Sequence, residues 1–263
     1  MSGQSAGRIG GRVVAVTGGG SGIGAAIARG LAAEGAAVAV LDRDGSAADA
    51  VAGSITDSGG QALAVRADVT DRSSTVAALA ATVERFGRLD VMFNNAGFNE
   101  PMPFLDITED NFRAVMEVNA LGVLIGIQEA ARQFLAQGSG GKVVNTASIA
   151  GRTGFADFAP YSASKAAVIS LTQAAARALA PQGITVNAFA PGVVATPLWT
   201  KLDADLERMG AGDAGFDSMA AGILLGRPAQ PEDIVPTALF LAAADSDYIT
   251  GQVIPIEGGM ILV

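Results

Sequence analysis

Tyr161 and Lys165 stand four residues apart in Tyr161-Ser162-Ala163-Ser164-Lys165, at the head of an Ala-rich stretch that follows Pro160. On a helix, positions i and i+4 share a face, so this phenol and this ammonium project together. A free phenol has a pKa near 10, too high for a base at neutral pH, and a neighbouring ammonium favours the phenolate. Bringing the phenol to about 7 takes on the order of 4 kcal/mol, at 1.36 kcal/mol per pH unit. The pair matters because the 263-residue chain contains no His and no Cys. That excludes a Ser-His-Asp triad, a thiol nucleophile, disulfides and Cys-ligated zinc or iron–sulfur, and it removes the commonest metal ligand. Acid–base chemistry near neutral pH must therefore use Tyr, Lys, Asp or Glu, and no metal site is expected. Of the two Tyr residues, Tyr248 sits in the polar run Asp245-Ser246-Asp247-Tyr248, which leaves Tyr161. By itself the Tyr-x-x-x-Lys spacing is short and common.

A second set of residues suits phosphate. Thr17-Gly18-Gly19-Gly20-Ser21-Gly22-Ile23-Gly24 closes a β-branched run and opens an Ala-rich one. Glycines at such a joint let the chain turn tightly and bring backbone N–H groups to a pyrophosphate at a helix N-terminus. The spacing Gly18-x-x-x-Gly22-x-Gly24 differs from the common G-x-G-x-x-G, and a plain tight turn is the alternative. Asp42 follows roughly twenty residues later, where a carboxylate accepts hydrogen bonds from adenosine ribose hydroxyls and repels a 2′-phosphate. Arg43 could partly offset that repulsion. NAD is therefore expected ahead of NADP.

The elements that must position these residues alternate. Strands are expected at 12–17, 36–41, 62–67, 89–94, 142–146, 184–189 and 252–256. Helices are expected at 22–34, 45–58, 72–86, 111–137, 159–180 and 232–243. Strands apolar on both faces, alternating with helices, indicate an α/β class: a doubly wound Rossmann fold with a single parallel sheet of about seven strands and helices on both faces. No linker divides residues 1–263, so one domain is expected. Residues 1–11 read as a frayed leader without the apolar core of a signal peptide. Residues 193–231 show no regular pattern and read as a substrate lid, or else a surface excursion. With 17 Lys+Arg against 26 Asp+Glu the net charge is −9, which argues against a nucleic-acid partner. The longest apolar stretch, 120–127, falls short of the roughly 18 residues that span a bilayer. No membrane partner and a cytoplasmic location are expected.

Taken together, Thr17 to Gly24, Asp42, Asp68-Val69, Asn94-Asn95-Ala96-Gly97, Asn119, Ser148, Tyr161-x-x-x-Lys165 and Pro191-Gly192 with Thr196 resemble the short-chain dehydrogenase/reductase family over about 11–260. The resemblance implies hydride transfer between NAD(H) and a secondary alcohol or ketone. Tyr161 would be the general acid in reduction and the general base in oxidation. Ser148 would orient the substrate oxygen. Lys165 would bind the nicotinamide ribose and lower the Tyr161 pKa, helped by the positive nicotinamide of the oxidised cofactor. Asn119 would hold a water that relays protons from Lys165. The cofactor would lie against Thr17, Gly18, Ser21, Gly22, Ile23, Gly24, Asp42 and Arg43. Asp68 would contact the adenine amino group and Val69 the ring. Asn95, Ala96 and Gly97 would line the adenosine ribose. Pro191, Gly192, Val193 and Thr196 would position the nicotinamide. Asn94 also reads as a residue that caps or ties strands.

The segments from Thr196 to Asp203 and from Asp247 to Met260 resemble the acetoin reductase/2,3-butanediol dehydrogenase and polyol dehydrogenase branch. Trp199 would cover a small substrate, or anchor the lid helix. That branch usually carries Gln just after the catalytic Ser and Asn seven residues after it, where this chain has Ile149 and Phe155. The pocket is therefore expected to be more apolar, with fewer donors for a second hydroxyl, and the substrate to be a small diol, a polyol or a less polar secondary alcohol. Helices near 111–137 and 159–180 are apolar around much of their circumference, which implies two buried faces and a homotetramer or homodimer. Two other readings stand beside this one. A carrier-bound 3-ketoacyl reductase would more often use NADPH and show a basic docking patch. A non-catalytic dinucleotide sensor would have no need of the Tyr161, Lys165, Ser148 and Asn119 set.

Overall fold

The strand Val13–Thr17 (β1) is buried at every position, and Ala37–Asp42 (β2) at all but its last. Small and β-branched side chains with no polar face suit a strand that is covered on both sides. The computed structural model, which describes residues 7–211 and 215–262, buries the central strands the same way and leaves the two edge strands part-exposed. Its other strands are Gln61–Arg66 (β3), Val91–Asn94 (β4), Gly141–Thr146 (β5), Ile184–Pro191 (β6) and Val253–Ile256 (β7). All pair in parallel in the order β3-β2-β1-β4-β5-β6-β7. The doubly wound sheet of seven strands is as expected. Its order reverses between β1 and β4, and the crevice outside the C-terminal ends of strands at such a switch is where ligands bind in open α/β sheets.

Helices Gly22–Ala33 (α1), Gly45–Asp57 (α2) and Val235–Ala242 (α9) cover one face through Ile27, Leu31, Val51, Ile55 and Leu239. Arg72–Phe86 (α3), Gly122–Gln137 (α5) and Ala159–Leu179 (α6) cover the other through Leu79, Ile127, Phe134 and Val168. Sequence signals set several ends. Asp44 and Asp71 cap α2 and α3 by accepting backbone N–H groups, and a left-handed Gly87 stops α3. Expected and observed bounds differ by a few residues, as at the frayed ends of helices.

Three expectations change. The leader is not frayed throughout: Ile9 is 1% exposed within the core, and Gly11 donates to the Gly35 carbonyl. Residues 1–6 lie outside the described residues. The lid stretch is partly helical, with Pro197–Arg208 (α7) and Phe216–Ala221 (α8), because Pro197 starts a helix and Leu202 and Leu206 give it a buried face. Residues 212–214 of that stretch are outside the described residues, as is Val263. Finally, Glu109–Met116 (α4), a π-turn at Glu117–Leu121 and α5 run on continuously. This 29-residue run, mean hydropathy 1.3 over its most apolar window, is longer than the stretch read from sequence. It is a core helix: Val123, Ile127 and Phe134 pack on the sheet.

Candidate active site

Two cavities meet at the C-terminal edge of the sheet. The larger, about 550 Å³, runs over the β1–β4 switch and is bounded by the glycine loop, Asp42, Asp68, Gly97 and Lys165. The smaller, about 110 Å³, lies under α7 and is bounded by Ser148, Ile149, Phe155, Pro191 and Trp199. Tyr161, Thr146, Ile23, Thr196 and Leu198 line both. Tyr161 thus stands at the junction of a long cleft and a small, mostly apolar pocket.

The glycine loop forms the floor of the cleft. Gly18 has φ +62°, and a Cβ there would come within 2.8 Å of Ala96 Cα; Gly22 has φ +50°. Only glycine adopts these conformations at no cost while letting β1 and β4 converge. Gly24 is a packing residue: its Cβ would meet the Gly18 carbonyl at 2.1 Å, so α1 lies directly against the loop. Ser21 precedes α1 without capping it through its side chain, so first-turn N–H groups are left for an anion. Thr17 faces inward instead. Its hydroxyl accepts from the N–H groups of Asn95 (2.9 Å) and Ala96 (3.1 Å) and donates to the Phe93 carbonyl, fastening β1 to the end of β4. Thr17 and Gly24, both expected to touch cofactor, shape the cleft from behind.

At the far end Asp42 accepts from the N–H groups of Gly20 and Asp44, each at 3.0 Å, which pins its carboxylate at the cleft edge beside Arg43. Asp68 is held by Thr70, whose N–H and hydroxyl both donate to its Oδ1. Asp68, Val69, Asn95, Ala96 and Gly97 line the long cleft as expected. Pro191, Gly192 and Val193 border the small pocket, which places them at the inner end.

Lys165 is 3% exposed and donates from Nζ to the Thr146 carbonyl at 2.8 Å. Burial pulls its pKa from 10.5 down to about 8. The Tyr161 phenol is pushed up by burial, and a hydrogen bond with Ser148 opposes the rise. Lys165 Nζ lies over the Tyr161 ring, 5.5 Å from its centroid, and donates to the Thr146 carbonyl. Ser148 sits where β5 leaves the sheet, and its Oγ also accepts from the Ala150 N–H.

Asn119 lies in the π-turn and is fully buried. Its Nδ2 donates to the Phe98 carbonyl (2.9 Å) and Ser164 Oγ (3.0 Å), and its Oδ1 accepts from the Phe98 N–H (3.0 Å). A Cβ on Gly97 would stand 3.0 Å from Asn119 Oδ1 and 3.5 Å from Lys165 Nζ. The missing side chain leaves those two polar atoms facing one space. Asn94 is a structural tie, donating to Asn145 Oδ1 at 2.9 Å. Trp199 both lines the small pocket and packs edge-on against Phe216, centroids 5.4 Å apart.

A family model described as short chain dehydrogenase matches residues 12–207. The chain belongs to the short-chain dehydrogenase family. It is 42% identical over 255 residues to the L-2,3-butanediol dehydrogenase of Corynebacterium glutamicum, covering 95% of this chain and 98% of that protein. It is 45% identical over 251 residues to a diacetyl reductase [(S)-acetoin forming] of Staphylococcus aureus strain Mu50, covering 95% and 97%. The crystal structure of a short-chain type dehydrogenase/reductase from Mycobacterium marinum superposes with a TM-score of 0.89 at 35% identity, covering 97% of each chain. This short-chain dehydrogenase is accordingly an oxidoreductase.

Sequence reasoning missed several residues that line the site. Thr70, Glu117 and Val118 border the long cleft; Asn99, Leu198 and Met219 border the small pocket. Only Asn99 carried a signal, as a short polar residue in the loop after Gly97.

Proposed function

We propose that this enzyme uses NAD(H) to interconvert a small secondary alcohol and its ketone, with Tyr161 as the acid–base group. The observation that carries this is the position of Tyr161 on the wall shared by the dinucleotide-sized cleft and the small pocket that Ser148 also lines. The residues present fit a dinucleotide: uncapped N–H groups at α1, a floor where a Cβ would clash, and a fixed carboxylate at the ribose end. NAD supplies the hydride acceptor, and NADH the donor.

The protein manages the proton and the geometry. In reduction Tyr161 donates its proton to the carbonyl oxygen as that oxygen becomes an alkoxide; in oxidation it takes the hydroxyl proton. Ser148 Oγ holds the same oxygen, which fixes the reacting carbon against the cleft. Lys165 would hold ribose hydroxyls with its ammonium and favour the phenolate. The space between Lys165 Nζ and Asn119 Oδ1 would admit a water that passes protons outward. Asp42 presents negative charge where NADP would place a phosphate, which favours NAD. Ile149 and Phe155 make much of the pocket apolar, and the relatives' names point to small diols and hydroxyketones.

Exposed Phe112, Leu121 and Leu135 on α4, the π-turn and α5 support a homotetramer built on these helices.

The test is turnover of secondary alcohols with NAD and with NADP, repeated for Tyr161→Phe. The reading expects activity with NAD and a loss of about 10²–10⁴-fold in kcat for the variant with dinucleotide binding retained. Undiminished turnover after Tyr161→Phe would refute it.

A further inference from the structure

The small pocket offers a substrate the Ser148 and Tyr161 hydroxyls at one end, while Ile149, Phe155, Phe158, Leu202 and Met219 supply mostly apolar surface. Thr146, Thr196 and Asn99 add further polar side chains to its lining, and Thr146 Oγ1 already donates to Asn95 Oδ1. Asn99 is 4% exposed, lines this pocket, and its Oδ1 is enclosed without a hydrogen-bond partner. Asn94 donates to Asn145 Oδ1 and Asn187 donates to the Ile249 carbonyl; the Asn111 Oδ1 is also enclosed without a partner, but Asn111 borders neither cavity. An enclosed amide oxygen with no donor is costly, so an orphan on a pocket wall points to a ligand group that completes it.

We propose that Asn99 is a specificity-determining residue whose amide binds the second oxygen of a substrate with oxygens on adjacent carbons, a vicinal diol or hydroxyketone. This rests on the secondary-alcohol reading above. The non-reacting hydroxyl donates to Asn99 Oδ1; where that second group is a carbonyl, the amide N–H₂ donates to it instead. A cavity of about 110 Å³ is far below the roughly 300–1,000 Å³ of drug-sized sites, so the second oxygen must sit close to the reacting carbon. Asn99 is also held rigidly. The Asn119 side chain bonds both the N–H and the carbonyl of Phe98, the residue before it. The Met102 N–H donates to the Asp157 carbonyl, tying down the loop beyond it. A polar group fixed in this way discriminates by being left unpaired when the wrong substrate binds. The apolar pocket expected from Ile149 and Phe155 is therefore only half of it. The polarity missing after Ser148 is supplied by the loop after Gly97.

The experiment compares kcat/KM for 2,3-butanediol, 1,3-butanediol and 2-butanol in the wild type, Asn99→Leu and Asn99→Ala, using the full chain with NAD. The wild type is expected to prefer the vicinal diol. Both variants are expected to lose about ten- to a hundred-fold more on that diol than on 2-butanol, so that the preference collapses. Should thermal melting show that Asn99→Leu is unfolded, Asn99→Ala and Asn99→Ser give the same ratio. Equal losses on all three alcohols would mean a structural role and overturn the proposal. So would a wild type that turns over 2-butanol or the 1,3-diol as well as the vicinal one, and in that case the secondary-alcohol reading survives. A wild type inactive on every alcohol with both NAD and NADP defeats that reading, and the role of Asn99 falls with it.

Discussion

Replacing Lys165 by Met should make the protein more stable and nearly inactive. Lys165 is 3% exposed, and burial holds its pKa at about 8 against 10.5 in water. At about 1.36 kcal/mol per pH unit, keeping the charged form inside the fold costs roughly 3 kcal/mol. Met has similar length and no charge to desolvate. It forfeits the 2.8 Å bond to the Thr146 carbonyl, worth about 1 kcal/mol. The net gain near pH 7 is about 2 kcal/mol. For a chain of this size that raises Tm by about 4–8 °C. The pH dependence has a definite sign. Below about 8 the lysine is charged in both folded and unfolded chains, and the full penalty applies. Between about 8 and 10.5 the unfolded chain binds more protons, so wild-type stability rises with pH and the advantage of the variant shrinks. Thermal melts of both proteins at pH 7 and pH 10 measure this, alongside steady-state rates. Activity should fall at least about 10²-fold, since the ammonium is proposed to favour the phenolate. A variant less stable than wild type at pH 7, or a Tm difference that ignores pH, would refute the desolvation argument.

Burial raises the Tyr161 pKa, so the phenol stays protonated through neutral pH. Alcohol oxidation should therefore climb from pH 7 to 10, while ketone reduction stays level near neutrality and falls in alkali. Rate profiles with parallel slopes in both directions would contradict this. Asp42→Asn should raise kcat/KM for NADP relative to NAD by about ten-fold or more, because a charge facing the 2′-phosphate is removed; an unchanged ratio would place the phosphate elsewhere. Gly126→Ala should destabilise by about 1–3 kcal/mol or more, since the new Cβ would lie 1.9 Å from Asn94 Oδ1 in a buried, hydrogen-bonded layer. A wild-type melting temperature would show that α5 can shift outward.

The order of elements was legible because each carries its own local cause. Val13–Thr17 has no polar face, Asp71 and Gly87 bracket α3, and Pro160 opens α6. The π-turn that carries Asn119 was not legible, because one extra residue in a helical turn leaves no distinct pattern in Glu117–Leu121. The bounds of the lid helix α7 were not legible, although Pro197 at its first turn is a start signal, because only Leu202 and Leu206 form its apolar buried face.

Residue types and short spacings determined the chemistry available to this protein. With neither His nor Cys, a Tyr–Lys pair at helical spacing was left to move protons, and a glycine loop between strand and helix to hold phosphate. Tertiary structure alone decided which atoms those groups face. Lys165 donates a hydrogen bond to the Thr146 carbonyl, nineteen positions away, and burial raises the Tyr161 phenol. Thr17 spends its hydroxyl on β4, and Asn99 turns an unpartnered amide to the pocket. Burial and long-range hydrogen bonds set pKa and specificity, and both depend on neighbours that sequence spacing does not reveal.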